Sequence, residues 1–365
     1  MKHAIARYLI TAIVCAGLGL LASAWAAPAA PAFAEINARV IDKYVLPRFA
    51  GLAETSGRLA DGLERVCSGE KGAIKAAEKE YADTVLAWAG VEFLRFGPMS
   101  QVGVPERFDF APDPRGVTQR QVARLVAKRD ASALDPAALA KKSAAVQGLS
   151  ALEVLLFDAG HPITDDDDAA KYRCGLARAM AQSTHTLARE VLTDWQGDGG
   201  WRQRMVAPKA GDERYKSAEE PAADFARALI TGLQMIQDRE IAPMIAAVPG
   251  PGKAPRLPFS RSGLSARYIG AGVASVQALY ETMGLARHVP AEKEWMPRWI
   301  SAAFERLARD GPSAVEGLGR VKDTAERTRE LRMVRFHIEG IRKLVGREIA
   351  PLAGLRIGFN ELDGD

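Results

Sequence analysis

The apolar side chains of this 365-residue chain recur at intervals of three and four residues, and this spacing limits the fold more than any other feature. Such spacing puts apolar side chains on one face of an α-helix, whereas a half-buried β-strand needs alternating apolar and polar residues. The sequence contains no sustained alternation bounded by hairpin turns. It therefore predicts an all-α protein, with helical segments at 45–66, 74–91, 146–157, 165–195, 222–245, 264–283, 292–310 and 314–350.

Local signals mark several helix boundaries. Pro47 lies inside the first segment and predicts a kink or a split there, because proline has no N–H to donate. Thr118, with Gln121 three residues later, has the pattern of a capping box, and Asp135 before Pro136 has the pattern of an N-cap followed by a first-turn proline. The acidic run at 165–168 suits the positive end of a helix dipole, which explains it without a metal.

Composition and a short repeat predict how the helices are grouped. Residues 208–221 are rich in Pro, Lys, Asp, Glu and Gly and are interpreted as a linker between an N-terminal bundle, 35–207, and a C-terminal bundle, 222–365. The tetrapeptide Gly-Leu-Ser-Ala occurs at 148–151 and again at 263–266, each time near the start of an apolar helix. The prediction is two up-and-down helical bundles related by duplication.

Residues 1–34 have the layout of a secretory signal peptide. Lys2 and Arg7 precede an apolar stretch at 9–21, and small-x-small exits follow at 24–26 and 32–34. We expect cleavage and a periplasmic protein, the alternative being an uncleaved N-terminal anchor. No later run of about 18 apolar residues predicts a membrane span.

Two cysteines lie beyond this leader, Cys67 and Cys174. In an oxidising compartment such a pair favours a disulfide. The alternative is two buried, reduced cysteines.

Charge excludes one class of partner. The chain has 49 Lys and Arg residues against 45 Asp and Glu residues, and its net charge is +4. Because nucleic-acid binding depends on a concentrated basic surface and the sequence has no Lys/Arg cluster, we expect no nucleic-acid partner.

The segment 148–157 is the most informative for function. On a helix, Glu153 has Leu149 and Ser150 one turn before it and Leu156 one turn after it, so its own face is mostly apolar. A carboxylate in such surroundings acquires a cationic or hydrogen-bonding partner, binds a metal, or stays protonated. Gly148 would let another backbone or a ligand approach closely.

Glu92 forms a second candidate site with Arg95, three residues later. One interpretation is a local ion pair at a helix end; the other makes an arginine the partner of Glu153 or of an anionic ligand. The loop at 97–117 is long enough to suggest a functional role. It adds further candidates for binding an anion or a cation, namely Arg107, Asp109, Asp113 and Arg115.

The pattern Gly148-x-Ser150-x-x-Glu153 resembles the Gly-x-His-x-x-Glu signature of the imelysin-like family. The resemblance extends in order to segments at 94–98, 107–116, 261–264 and 358–365. It implies two helical bundles related by duplication with a pocket between or beside them, and a Cys67–Cys174 pair like that of many members. The family includes insulin-cleaving envelope peptidases, iron-regulated proteins and a periplasmic component of an iron-uptake system.

Serine stands here in place of the signature histidine. Imidazole is a common ligand of first-row metals and a serine hydroxyl is a weak one, so Glu153 would need other ligands to hold iron or another divalent cation. There is also no His-Glu-x-x-His motif. We therefore expect a non-catalytic protein that binds a ligand or partner, linked to iron acquisition or envelope homeostasis, with an iron-uptake or envelope protein as its partner. The alternative is a metallopeptidase with a degenerate site.

Overall fold

The computed structural model describes residues 33–209, 211–247, 257–316 and 324–357, and it is built from helices. No strand occurs within these ranges, so the predicted all-α class is confirmed. The predicted signal peptide lies outside them apart from its last two residues, as does the acidic segment 358–365. The α-helices are α1 (Phe33–Val40), α2 (Leu46–Cys67), α3 (Ala73–Ala89), α4 (Val104–Phe108), α5 (Val117–Lys128), α6 (Pro136–Leu139), α7 (Gly148–Leu156), α8 (Asp168–Gln196), α9 (Trp201–Val206), α10 (Glu219–Ile236), α11 (Ala242–Ala247), α12 (Ser265–Met283), α13 (Trp295–Glu316), α14 (Thr324–Leu344) and α15 (Ala350–Leu352).

Two of the predicted helix starts have different outcomes. Asp135 caps α6 as predicted, because its carboxylate accepts a hydrogen bond from the Ala138 amide at 2.7 Å. Thr118 was predicted to cap α5, but this is wrong. The carboxylate of Asp113 accepts from the amides of Val117 and Thr118, both at 2.8 Å, and the helix therefore begins one residue before Thr118.

The helix is not split at Pro47. A π-helical turn, Ile41–Val45, joins α1 to α2, and Pro47 is the second residue of α2. Proline lacks the N–H that would donate a helical hydrogen bond. Because the π-helical turn just before Pro47 already alters the hydrogen bonding at this point, the missing donor does not end the helix. The chain consequently stays helical from Phe33 to Cys67.

The core forms where long helices pack side by side. In the first part of the chain α2 packs on α3 and α8, and α7 packs on α8. The Cys67–Cys174 disulfide links the end of α2 to α8, which confirms the predicted bridge. Such a bridge also restricts the conformations of the unfolded chain and so stabilises the folded protein. In the second part α12 packs on α10 and α13, and α13 packs on α14.

Helices from the two sequence halves also meet directly. The helix α3 packs on α12, and α1 contacts α10 and α12. Helix α10 begins at Glu219, inside the segment 208–221, and the buried Tyr215 of this segment donates a hydrogen bond to Asp224 at 2.6 Å. The division into two bundles remains a prediction.

Within the described ranges, none of the helices combines the length and the apolar character that a membrane crossing requires.

Candidate functional site

An open cleft of about 760 Å³ lies beside α7. Its walls come from the loop before α5, from α7, from the turn after α10 and from the loop before α12. The residues that line it are Phe110, Ala111, Pro112, Asp113, Pro114, Gly116, Thr118, Gln119, Ser150, Glu153, Val154, Asp238, Arg239, Pro243, Leu257, Pro258, Phe259, Ser260 and Arg261.

Glu153 is held in this cleft by a residue from the other half of the sequence. Its Oε1 accepts hydrogen bonds from the Ser262 amide at 3.0 Å and the Ser262 hydroxyl at 2.6 Å. The side chain is largely buried, and burial raises the pKa of Glu153, while the Ser262 hydrogen bonds and the charge of Arg261 oppose the rise. The sequence left three possibilities for Glu153: a cationic or hydrogen-bonding partner, a bound metal, or a protonated carboxyl. The structure shows a hydrogen-bonding partner, Ser262.

Gly148 begins α7 where two chain segments nearly touch. Its φ is +70°, a conformation that favours glycine. A Cβ at this position would overlap the carbonyl oxygen of Phe108 and lie 2.5 Å from that of Arg107. Glycine therefore allows α7 to pack directly against the backbone at 107–108, as expected for a close approach, and this packing brings Asp109 to Ser150.

Ser150 donates a hydrogen bond to Asp109 Oδ1. Asp109 is only 5% exposed, and its Oδ2 is buried without a hydrogen-bond partner. Burial raises the pKa of Asp109 to about 6; the Ser150 hydrogen bond opposes this rise, and the negative charge of Glu92 adds to it. Asp109 is thus a poorly solvated carboxyl group directly behind a residue that lines the cleft.

This raised pKa predicts how stability changes with pH. Below about pH 3 the Asp109 carboxyl is mostly protonated in both the folded and the unfolded chain. As the pH rises from about 3 to about 7, the unfolded chain loses this proton first, so the free energy of unfolding falls by about 3 kcal/mol. Asp109→Asn cannot titrate, and its stability relative to the wild type should therefore rise by about 2 kcal/mol between pH 4 and pH 7.

Urea denaturation of both proteins at the two pH values measures this change. The exposed Asp198→Asn variant serves as the control and should keep a constant difference from the wild type. A constant difference for Asp109→Asn as well would show that Asp109 does not hold a proton in the folded protein.

Arg239 is a largely buried cation of the site, with 15% of its side chain exposed. Its Nη1 donates to Glu92 Oε2 at 2.9 Å, and its Nη2 donates to the Ala111 carbonyl at 3.2 Å. The other oxygen of Glu92 accepts a hydrogen bond from the hydroxyl of the buried Tyr268. Arg239 lies in a π-helical turn, Gln237–Ile241, and such turns frequently occur at functional sites.

The remaining candidate residues occupy different places. Arg95 approaches Glu106 at 4.0 Å, and Glu92 forms its ion pair with the distant Arg239 at 2.9 Å. Arg107 donates to Gln147 at 3.3 Å, and Asp113, although it lines the cleft, caps α5. Sequence reasoning missed the partners Arg239, Ser262 and Tyr268. Only Ser262 carried a signal, because it lies in the 261–264 segment that resembles the family.

The residues of the cleft do not fit a catalytic transition metal. Within the described ranges, no group of three or more His, Cys, Asp or Glu side chains is arranged to hold a metal ion. None of the residues described as lining the cleft is a histidine. His185 contacts Ser56 at 3.3 Å, and His161 is exposed and contacts Asp158 at 3.2 Å. The hydroxyl of Ser150, where the family signature has histidine, is instead engaged with Asp109.

Comparisons with known proteins agree with this architecture. A crystal structure of an imelysin-like protein from Psychrobacter arcticum 273-4 is 21% identical, with a TM-score of 0.70, over 89% of this chain and 98% of that one. A protein described as an iron-regulated protein A precursor, from Parabacteroides distasonis ATCC 8503, is 12% identical, with a TM-score of 0.64, over 88% of this chain and 96% of that one. At these identities the two structures establish a common fold.

Among curated proteins, no significant match was found. The profile of the imelysin family matches residues 45–327, a span that contains Glu92, Asp109, Ser150, Glu153 and Arg239. The chain therefore belongs to the imelysin family.

Proposed function

We propose that the protein binds a small ligand or a segment of a partner in the cleft beside α7, and that it does so without catalysis. The observation that carries this proposal is the state of Glu153, a carboxylate that lines an open cleft while Ser262 fixes its Oε1. A side chain held in one orientation from behind is suited to recognition, because little conformational freedom is lost when a ligand binds.

The alternative, a metallopeptidase with a degenerate site, receives less support from the same residues. A catalytic zinc commonly has three protein ligands, and the signature position that would supply one holds Ser150. Its hydroxyl is already donated to Asp109. Glu153 would have to leave Ser262 or share an oxygen with it.

We place this binding function in iron acquisition or envelope homeostasis, with an iron-uptake or envelope protein as the partner. Family membership supports this, as does the likeness to a protein described as iron-regulated. Export to the periplasm is proposed from the leader at 1–34, and the Cys67–Cys174 disulfide suits an oxidising compartment. Cell fractionation and N-terminal sequencing of the secreted protein test the location.

We also propose that the two halves arose by duplication. Gly148 and Gly263 both have φ of +70° at or just before the start of a helix. Counting from each glycine, Tyr268 stands in the second half where Glu153 stands in the first. Both side chains bond across the halves, Tyr268 to Glu92 and Glu153 to Ser262.

A variant that fills the cleft tests the binding proposal. Val154 is half-buried and lines the cleft, so Val154→Trp should occupy it without removing a polar contact. We expect ligand-observed NMR with a panel of cationic, anionic and neutral fragments to detect binding to the wild type and loss of that binding in Val154→Trp. Ala123→Trp, on the exposed side of α5, is the matched control and should bind as the wild type does.

Two outcomes would contradict the proposal. One is that no fragment class binds, or that binding survives in Val154→Trp. The other is that the protein degrades unfolded casein in a manner that a chelator stops and Glu153→Gln abolishes, which would favour the peptidase.

A further inference from the structure

The cleft has a charge opposite to that of the chain as a whole. The net charge of the chain is +4. In the described part of the chain, the ionisable side chains that line the cleft are Asp113, Glu153, Asp238, Arg239 and Arg261. Two further carboxyl groups, those of Glu92 and Asp109, lie directly behind the lining. Carboxyl groups thus outnumber guanidinium groups around this cavity.

The guanidinium group of Arg239 does not neutralise the carboxyl groups that face the cleft. Arg239 pairs with Glu92 and bonds the Ala111 carbonyl, so Glu92 already neutralises its charge. Arg261 places a positive charge near Glu153, but its side chain is exposed, so water weakens this charge. The negative charge of Glu153 is therefore only partly offset by the cations of the cleft.

Asp109 supplies an independent indication of a missing positive group. It is nine-tenths or more buried, and its Oδ2 has no hydrogen-bond donor. A buried carboxylate oxygen without a donor is costly, and native structures normally satisfy such atoms. Among the described residues, Ser150 donates the one hydrogen bond to this carboxylate, through Oδ1, and Ser150 itself lines the cleft. A cation seated against Ser150 would stabilise both Asp109 and Glu153.

The walls restrict what kind of cation fits. Phe110, Pro112, Pro243, Leu257 and Phe259 give the cleft a largely apolar side surface. An inorganic ion would leave this surface exposed to water, whereas an organic cation with an apolar stem would cover it. The half-buried ring of Phe110 can also attract a cation at its face.

We infer that the cleft recognises an organic ammonium group on an apolar stem, with the ammonium seated at Glu153 and Ser150 and the stem along the apolar wall. This inference rests on the proposed binding function, because it names the class of ligand for the same cleft. A lysine side chain of a partner protein and a free amine carry the same chemistry.

Three probes of nearly equal size and different charge test the inference. They are benzylamine, benzyl alcohol and benzoate, titrated into the full-length mature protein at neutral pH and followed by ligand-observed NMR. We expect benzylamine to bind about tenfold more tightly than benzyl alcohol, and benzoate to bind most weakly, from the charge of Glu153 in a partly desolvated site. This comparison uses only the wild type and does not depend on any variant folding.

Variants then locate the charge. Glu153→Gln keeps the shape of the side chain and should reduce benzylamine affinity about tenfold while leaving benzyl alcohol unchanged. Glu281→Gln removes the same charge from the exposed face of α12 and should leave both affinities unchanged. An N-acetyl-lysine amide that binds like benzylamine would identify a protein side chain as a suitable ligand.

Different failures point to different errors. If the three probes bind equally, or benzoate binds best, and Val154→Trp still blocks them, the cleft is a binding site but the inferred ligand class is wrong. If no probe binds and the wider fragment panel also fails, both the inference and the proposed function are wrong.

Discussion

Replacing Gly148 with alanine is expected to destabilise the protein by about 4 kcal/mol or more, close to the upper end of what single substitutions do. The added Cβ would overlap the carbonyl oxygen of Phe108 and approach that of Arg107, and both are backbone atoms that cannot rotate away. The φ of +70° adds a further cost of about 1–2 kcal/mol for any residue other than glycine. Urea denaturation followed by circular dichroism measures the loss.

Gly263 provides a matched control. It has the same φ of +70°, but a Cβ there would meet nothing within 4 Å. Gly263→Ala should therefore cost only the conformational term, about 1–2 kcal/mol. Equal losses in the two variants would mean that the close approach of α7 to the backbone at 107–108 contributes nothing.

Replacing Arg239 with methionine is expected to cost about 3–5 kcal/mol, because it leaves the Glu92 carboxylate buried without its cation. The substitution also removes the donor to the Ala111 carbonyl. Methionine retains most of the volume of the side chain, so the loss should reflect charge more than packing. The free energy of unfolding in urea at neutral pH is the relevant measurement.

A double-mutant cycle separates the ion pair from its surroundings. Adding Glu92→Gln to Arg239→Met should recover part of the lost stability, since the uncompensated charge is then gone. Arg298→Met, which breaks an exposed pair with Glu294, should change stability by less than about 1 kcal/mol. Additive losses at Glu92 and Arg239 would show that the two side chains do not interact in the folded protein.

The long helices were predictable because each one buries an apolar stripe that its own sequence displays. The five-residue helix α4 was not predicted, because it lies inside the segment 97–117 that was interpreted as a loop. The start of α6 at Asp135 and the apolar segment that became α7 both follow from local chemistry. The start of α5 did not, because Asp113 reaches forward to cap the helix that Thr118 was expected to cap.

The pairing of the site residues could not be predicted, because it depends on contacts between distant parts of the chain. Glu92 and Arg239 are 147 residues apart, and Glu153 and Ser262 are 109 apart. The local alternative, Glu92 with Arg95, assumed that the helix continues through both residues. Helix α3 instead ends at Ala89, and the helical spacing that would have aligned the two side chains is lost.

Arg239 lies in the π-helical turn at Gln237–Ile241, so the direction of its side chain depends on the number of residues in this turn as well as on the residue type. A π turn contains one residue more than an α turn, and each residue of an α-helix rotates the chain by about 100°. Deleting a single residue from this turn would therefore leave the surrounding sequence intact and yet swing the guanidinium away from Glu92. In a relative without the extra residue, the side chain that faces this glutamate would come from a neighbouring column of a sequence alignment. Equivalence at this site is therefore best judged from superposed structures.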